Sequence, residues 1–260
     1  DGHAVRMTGD ETTLQAITAD ALREWHREHV VRARAVLAIV GDAEPDQLAA
    51  IVAGRFGELA GGELAPLGPP AWPDGVVQTV EHREKAQTAL AMLFPGPSRS
   101  DDSRFAAAMI AGVASGLGGR FFDELRDKQS LGYTVHAFAG ERALAGSFGA
   151  YIATSPEKEE RARRGLLDEF AKLRDEPVTA RELHQAQTYA IGVHAIRQQS
   201  GGAVLADMVD AWLFGRLAEL REFDARVRAV TAAEMRRLAR AYFDEERRVE
   251  GIVRGVDRSV

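Results

Sequence analysis

The sequence predicts an α+β fold, with a mostly antiparallel sheet that is covered by helices. Apolar or alternating segments occur in two pairs, residues 76–82 with 87–94 and residues 133–139 with 146–154, and each pair predicts two adjacent strands. Helical segments separate the pairs, and a last apolar segment at 249–253 predicts a closing strand. Strands that are grouped in pairs between helices are typical of α+β proteins.

Helix boundaries follow from capping signals and glycines. An Ala-rich helix is predicted over residues 102–117 and breaks at glycines, and a short helix is predicted over 120–128. A Ser-Pro pair opens the next helix, residues 155–173. Two capping boxes, Thr179–Glu182 and Thr231–Glu234, each begin an amphipathic helix, because the Thr and Glu side chains satisfy each other's main-chain N–H groups.

Residues 1–62 predict only part of a further α/β unit. Thr18 can cap a helix over 19–29, the apolar run at 35–40 predicts a buried strand, and a proline opens a helix over 45–56. One strand and two helices cannot enclose a core. The strand therefore needs partners from the rest of a longer protein, from another chain or from the second domain.

A proline-rich linker separates this partial unit from a complete domain. Residues 63–75 contain four prolines and two glycines, which favour a semi-extended chain. We expect residues 76–260 to form the complete domain. The chain begins with Asp rather than Met, so we expect it to start within a longer protein whose upstream part is not in this sequence.

Composition and charge exclude several classes of function. The net charge of −6 offers no basic surface for nucleic acid or an anionic membrane. The absence of cysteine excludes disulfides, thiolate metal ligands and a Cys nucleophile. No segment approaches the run of about 18 apolar residues that indicates a membrane span. We expect a soluble bacterial protein, and composition does not distinguish cytoplasm from periplasm.

The segment from Gly118 to Tyr133 carries the strongest functional signal. It predicts glycines, a short helix, a sharp turn at Gly132 and an emerging strand, with Arg126 at the helix end. Such a turn can place a guanidinium and a phenol side by side, where both can donate to a peptide carbonyl or its developing oxyanion. The residue types alone favour a solvated Arg, which the helix dipole stabilises at a C-terminus, beside a half-buried strand Tyr.

This segment, Gly-Gly-Arg-Phe-Phe-Asp-Glu-Leu-Arg-Asp-Lys-Gln-Ser-Leu-Gly-Tyr-Thr-Val, resembles the second-domain motif of M16 (pitrilysin or insulinase-like) metallopeptidases. An Arg and a Tyr seven positions apart complete the active site in that family, and Arg126 and Tyr133 match this spacing. Pieces between Asp1 and Asp42 resemble the latter part of an N-terminal M16 domain, and the chain from Pro156 onward resembles the helical half of the second domain. The resemblance implies a complete processing-peptidase-like domain after a partial domain of the same type.

The resemblance also implies roles, a cofactor and partners. Arg126 and Tyr133 would be the catalytic and substrate-binding residues. Zinc would be held by an inverted His-x-x-Glu-His motif and a third carboxylate, which we expect upstream of Asp1, since this sequence contains no such motif. We thus expect no metal ligand in this chain, zinc in the intact enzyme or a partner chain, and no activity from the chain alone. The implied partners are a peptide substrate and an N-terminal M16 domain, in the same parent chain or in another subunit of a homo- or heterodimer.

Three functions remain open at this point. The parent protein carries its own zinc motif, or it is the non-catalytic subunit of a heterodimer and lends Arg126 and Tyr133 to another chain's zinc. The third alternative is a purely structural relative, against which the intact Arg–Tyr pair argues. Peptide binding as an added strand on a sheet edge is the mode that the resemblance implies, with the edge near residues 146–154 lining the chamber.

The histidines and glycines are weaker candidates. His26 and His29 share a helix face, but no third ligand is predicted beside them, so a polar helix face is favoured. His136 is expected on the strand face opposite Tyr133. The glycines within 116–119 are not followed by the Lys-Ser/Thr of a phosphate-binding loop.

Overall fold

A five-stranded sheet forms the centre of the computed structural model, which describes residues 8–64, 67–115 and 118–255. Its spatial order is β1-β5-β2-β4-β3; β1 and β5 are parallel and every other neighbouring pair is antiparallel. This confirms the predicted α+β class and its mostly antiparallel sheet. The strands are β1 (Val77–His82), β2 (Thr88–Gly96), β3 (Thr134–Glu141), β4 (Gly146–Thr154) and β5 (Val249–Arg254).

Helices α4, α5 and α9 pack against the sheet. The predicted helix at 102–117 is shorter in the structure and ends at Ala114. Thr179 and Glu182 form the predicted capping box, and Thr231 accepts a hydrogen bond from the Glu234 N–H. Within the described ranges the helices are α1 (Glu11–Gln15), α2 (Ala19–His29), α3 (Pro45–Phe56), α4 (Arg104–Ala114), α5 (Glu159–Asp175), α6 (Ala180–Arg197), α7 (Gly201–Leu213), α8 (Glu219–Ala229) and α9 (Ala232–Tyr242).

The hydrophobic core lies between these helices and one face of the sheet. On β2, Leu90 is opposite Ile152 of β4 and Ile252 of β5, and all three side chains are buried. Alternate side chains of β2, which point to the other face, are half-buried. The ring of Phe170 from α5 lies 4.7 Å from that of Phe94, in an edge-to-face contact that fixes the helix on the sheet.

The predicted buried strand at residues 35–40 is wrong for the described chain. Helices α2 and α3 on either side have the predicted bounds, but the segment between them pairs with no strand among the described residues. Leu37 is 57% exposed and Ile39 is 49% exposed. A strand needs the main chain of a neighbour for its hydrogen bonds and a packed layer for its side chains, and the described residues supply neither here.

The proline-rich segment is attached to the end of the sheet. The indole Nε1–H of Trp72 donates to the carbonyl of Arg247, just before β5, at 2.9 Å. Parts of the predicted features, among them Asp1 and Gly116, lie outside the described residues. None of the helices within the described ranges combines the length and apolar character that crossing a bilayer requires.

Candidate functional site

Arg126 lies in a π-helical segment, Phe122–Lys128, where the sequence predicts an ordinary helix. Leu125 is fully buried and fixes this segment in the core. The chain then closes back on itself, because the Leu131 N–H donates to the Leu125 carbonyl at 2.8 Å. Single π-helical turns often occur at functional sites, and this one turns the residue after Leu125 towards the beginning of β3.

The turn between this segment and β3 has two unusual main-chain positions. Ser130 has a φ of +51°, in the left-handed region that side chains rarely adopt. At Gly132, a Cβ atom would lie 2.3 Å from the carbonyl oxygen of Ala153 on β4. Only glycine permits this approach of two main chains. The turn that presents Tyr133 therefore depends on Gly132.

Two side chains from the opposite side of the site bind this turn. The Thr154 hydroxyl at the end of β4 donates to the Leu131 carbonyl at 2.5 Å. The Lys158 ammonium donates to the Ser130 carbonyl at 3.1 Å. Main-chain carbonyls in a turn are otherwise left to solvent, so these contacts fix its position relative to β4.

The structure brings the two predicted site residues into contact. The Arg126 guanidinium lies between two aromatic rings, 4.6 Å from the centroid of Tyr133 and 4.4 Å from that of Phe122. A cation over a ring face gains about 0.5–1 kcal/mol at an exposed site. The nearest carboxylate oxygen, of Asp127, is 3.9 Å from Arg126 Nε, which is beyond hydrogen-bonding distance. The guanidinium is thus oriented by rings, and no hydrogen-bond acceptor in the described part of the chain occupies its N–H groups.

Arg126 and Tyr133 border a cavity of about 370 Å³. Tyr133 is 76% exposed, so its hydroxyl faces solvent rather than the core. Lys158 and Gln87 are also at the cavity wall, and no carboxylate is among the described residues that line it. A site with two cations, a phenol and an amide suits an acceptor-rich ligand, such as the main chain of a peptide or a developing oxyanion.

The site lies beside an edge of the sheet, and that edge is β3. The prediction that the edge near residues 146–154 lines the chamber is wrong, since β4 is an internal strand between β2 and β3. Sequence reasoning placed β4 at an edge because local patterns do not report strand order. That order depends on pairing between segments that are distant in the sequence. Tyr133 directly precedes β3, and an edge strand can pair with an added strand. One N–H of β3, that of Ala137, already donates to the Ser115 hydroxyl at 3.4 Å.

The described residues do not fit a zinc site. Nδ1 of His29 is 3.0 Å from the Trp25 carbonyl, and its ring stacks on the Trp25 ring at 4.6 Å, so this imidazole is already engaged on its own helix. His136 packs 5.3 Å from the ring of Tyr151 on β4. Within residues 8–64, 67–115 and 118–255, no three His, Asp or Glu side chains converge as metal ligands would.

Sequence reasoning missed the residues that hold the pair in place. Phe122 precedes Arg126 by four positions, and helical spacing of an aromatic and a cation was the signal that could have identified it. Lys158 and Thr154 carry no such signal. They reach the turn through pairing of β3 with β4, which the sequence does not specify residue by residue.

Comparison with protein families gives a match to the peptidase M16 inactive domain over residues 16–189. An uncharacterised zinc protease of Streptomyces coelicolor is 25% identical over 244 residues, which cover 90% of this chain and 53% of that protein. The chain therefore spans about half the length of this relative.

Solved structures share the fold. The peptidase M16 inactive domain from Pseudomonas fluorescens has a TM-score of 0.87 at 22% identity, with 98% of this chain and 62% of that chain covered. A chain of complex III from Candida albicans has a TM-score of 0.81 at 15% identity, with 96% and 62% covered. At these identities the similarity shows the fold alone.

Proposed function

Because this chain belongs to the peptidase M16 inactive domain family, we propose that it supplies the Arg126–Tyr133 half of a zinc peptidase active site. Its relatives include zinc proteases about twice as long as the matched region. The observation that carries the proposal is the position of the Arg126 guanidinium beside the rings of Phe122 and Tyr133, at the wall of a cavity whose described lining residues include no carboxylate.

Substrate binding is the role of these residues in the proposal. Arg126 donates to a carbonyl of the peptide, and its contacts with the Phe122 and Tyr133 rings limit the movement of the guanidinium. The Tyr133 hydroxyl donates to the oxygen that gains negative charge when the scissile carbonyl is attacked. Zinc ligands in the remainder of the protein would hold the metal, which would supply polarisation of that carbonyl and activation of water. The peptide lies along the β3 edge, where main-chain hydrogen bonds fix its register.

The domain organisation is part of the same proposal. Residues 1–62 belong to a preceding domain of the same type, 63–75 are the linker, and 76–260 form the complete domain. Exposed apolar side chains on the unpaired segment at 35–40 support this, since Leu37 and Ile39 would be covered by strands outside the described chain.

A partner subunit is the alternative function. In that case the full-length protein holds no zinc, and Arg126 and Tyr133 complete a site on another chain. The fold match to a complex III chain raises a purely structural role, but the stacked Arg126–Tyr133 geometry argues against it. A structural chain has no need for an exposed Tyr beside an Arg whose donors find no hydrogen-bond acceptor among the described residues.

Kinetics of Arg126→Ala in the full-length protein test the proposal. We expect kcat/KM for a peptide substrate to fall by roughly 10²–10³, as loss of a transition-state donor does, with zinc content unchanged. Arg161→Ala, an exposed position on α5, is the matched control and should leave kcat/KM within about twofold. Unchanged kinetics in Arg126→Ala would assign this residue a surface role and contradict the proposal.

Zinc analysis of the full-length protein separates the two functions. One bound zinc with cleavage by the protein alone supports the enzyme. No zinc, with activity only after addition of a zinc-bearing partner, supports the partner subunit. The 260-residue chain alone should cleave no peptide in either case.

A further inference from the structure

The cavity at the Arg126–Tyr133 pair has a second cation, Lys158, whose charge the proposed function does not use. Lys158 is the last residue of a short 3-10 helix, Pro156–Lys158, which lies between β4 and α5. Its side chain is half-buried and lines the same cavity of about 370 Å³ as Arg126. The ammonium donates to the Ser130 carbonyl at 3.1 Å. A lysine ammonium has three N–H donors, and this contact uses one of them.

The charge of Lys158 has no counter-ion in the described part of the chain. The carbonyl that accepts from the ammonium is neutral, so it orients the group and leaves its charge in place. The two glutamates next to Lys158 in the sequence contact other groups. Glu157 accepts from the Ser155 hydroxyl, and Glu159 pairs with Arg254 at 2.8 Å. A cation that is half-buried without a carboxylate partner is poised to bind one from outside.

Arg126 adds a second positive charge to the same cavity. Its side chain is 32% exposed, and the Asp127 carboxylate, 3.9 Å from its Nε, does not line the cavity. Among the described lining residues there is neither Asp nor Glu. Two cations at a concave surface without acidic neighbours produce a positive potential, which attracts a negatively charged group.

The two cations suit different groups of a bound peptide. In the proposed function, Arg126 donates to a main-chain carbonyl of the peptide. Lys158 comes from a different element, at the end of β4, and reaches the cavity beside Ser130. A carbonyl carries only a partial charge, so a peptide that offered main-chain groups alone would cover the Lys158 ammonium without neutralising it. An acidic side chain of the peptide supplies the missing charge.

We propose that this cavity selects peptides with an acidic side chain near the residue that Arg126 binds, and that Lys158 is the residue that determines this specificity. The inference rests on the proposed function, because it names the substrate class of the same site. The Asp or Glu carboxylate of the peptide accepts from the ammonium N–H groups that Ser130 does not occupy.

Cleavage of paired peptides by the full-length protein tests the proposal. Asp is placed in turn at each position around the cleaved bond of a peptide, and Asn at the same position gives the matched neutral peptide. Both ends are blocked, so the side chain is the carboxylate that differs. We expect kcat/KM to be about tenfold higher for Asp than for Asn at one position, because a charge-assisted hydrogen bond is gained. A ratio near one at every position would overturn the proposal, and so would a preference for a free C-terminus without one for Asp.

Variants of Lys158 separate its charge from its contact with the turn. Lys158→Met also removes the bond to Ser130, and a loosened turn slows cleavage of both peptides, so the readout is the Asp-to-Asn ratio of kcat/KM. We expect this ratio to fall to within about twofold of one in Lys158→Met and to persist in Lys158→Arg, which keeps the charge. Arg161→Met, at an exposed position of α5 outside the cavity, should keep the ratio. An unchanged ratio in Lys158→Met, or the same loss in Lys158→Arg, would contradict a role for the charge.

Failure of this inference differs from failure of the proposed function. If Arg126→Ala slows cleavage but the Asp-to-Asn ratio is near one, the inference alone fails. If the full-length protein cleaves no peptide, calorimetric titration of the 260-residue chain decides, with a blocked alanine peptide that carries a single central Asp or Asn. The Asp peptide should bind about tenfold more tightly, and Lys158→Met should abolish the difference. Equal binding of the two peptides, or binding of neither, would overturn the inference.

Discussion

Glu182→Gln tests the connection between helix α6 and the segment that carries Arg126. The Glu182 carboxylate receives two hydrogen bonds from Arg120, at 2.6 and 2.9 Å, and also accepts from the N–H and hydroxyl of Thr179 at 2.7 and 2.8 Å. Arg120 lies two residues before the first residue of the π-helical segment, Phe122. One carboxylate therefore caps α6 and fixes the start of the site segment.

The expected loss follows from the pKa of this carboxyl. The Arg120 guanidinium is the largest cause that lowers the pKa of Glu182 from 4.5 to about 2. The full shift corresponds to about 3 kcal/mol of folded-state stability at pH 7. The side chain is 27% exposed, so screening by solvent reduces the expected loss to about 2 kcal/mol. Gln keeps the length of the side chain and can still bond the Thr179 N–H, so the loss reports the charge.

Urea unfolding of Glu182→Gln and of the unmodified chain, at pH 7 and at steps down to pH 3, measures this loss. The folded-state pKa lies below the unfolded value of 4.5. The carboxylate therefore stabilises the fold fully above pH 4.5, and this contribution declines as pH falls towards 2. The difference between the two proteins should be full at pH 7 and shrink below pH 4.5. Glu160→Gln, whose side chain is 80% exposed beside Arg163, is the control and should cost less than about 0.5 kcal/mol.

A loss below about 0.5 kcal/mol at pH 7 would refute this reasoning, because it would equal the effect of an exposed pair. A loss that stays constant from pH 7 to pH 3 would also refute it. It would show that the ionised form has no special role.

Three further changes test other parts of the structure. Gly132→Ala forces the site turn away from β4 and should lower kcat/KM of the full-length protein by about 10²-fold. Gly251→Ala is the control, because a Cβ at Gly251 would meet open space, and it should change kcat/KM little. Equal effects of the two substitutions would contradict the packing argument. Leu37→Arg combined with Ile39→Arg should change the unfolding free energy of this chain by less than about 0.5 kcal/mol, because both side chains are exposed. The same double variant should lower the thermal stability of the full-length protein. An unchanged thermal stability of the full-length protein would contradict the partial-domain proposal. Phe94→Ala should cost about 3–5 kcal/mol in urea unfolding, and a loss below about 1 kcal/mol would contradict its place in the aromatic core.

Local interactions explain which elements could be predicted from the sequence. Helices α2 and α3 were predicted with their observed bounds, because Thr18 caps one and Pro45 opens the other within a few residues. The Thr179–Glu182 capping box is equally local. The prediction of a buried strand at 35–40 was wrong for the described chain, because an apolar run reports the tendency to be covered, not the presence of a cover.

The residues of the candidate site also divide into those that a local motif identifies and those that only contacts between distant segments bring together. Arg126 and Tyr133 could be identified because they lie on one short segment whose motif resembles a known family. The bond from Lys158 to the turn and the pair of Arg120 with Glu182 could not, since they join residues 28 and 62 positions apart.

Tyr133→Phe in the full-length protein tests the central claim most directly, because it removes the hydroxyl and keeps the ring that lies against Arg126. Tyr189→Phe is the matched control, since Tyr189 is 72% exposed and Tyr133 is 76% exposed. We predict that kcat/KM falls by roughly 10²–10³ in Tyr133→Phe and stays within about twofold in Tyr189→Phe, at equal zinc content. The same kcat/KM in both variants would contradict a role for Tyr133 in peptide hydrolysis.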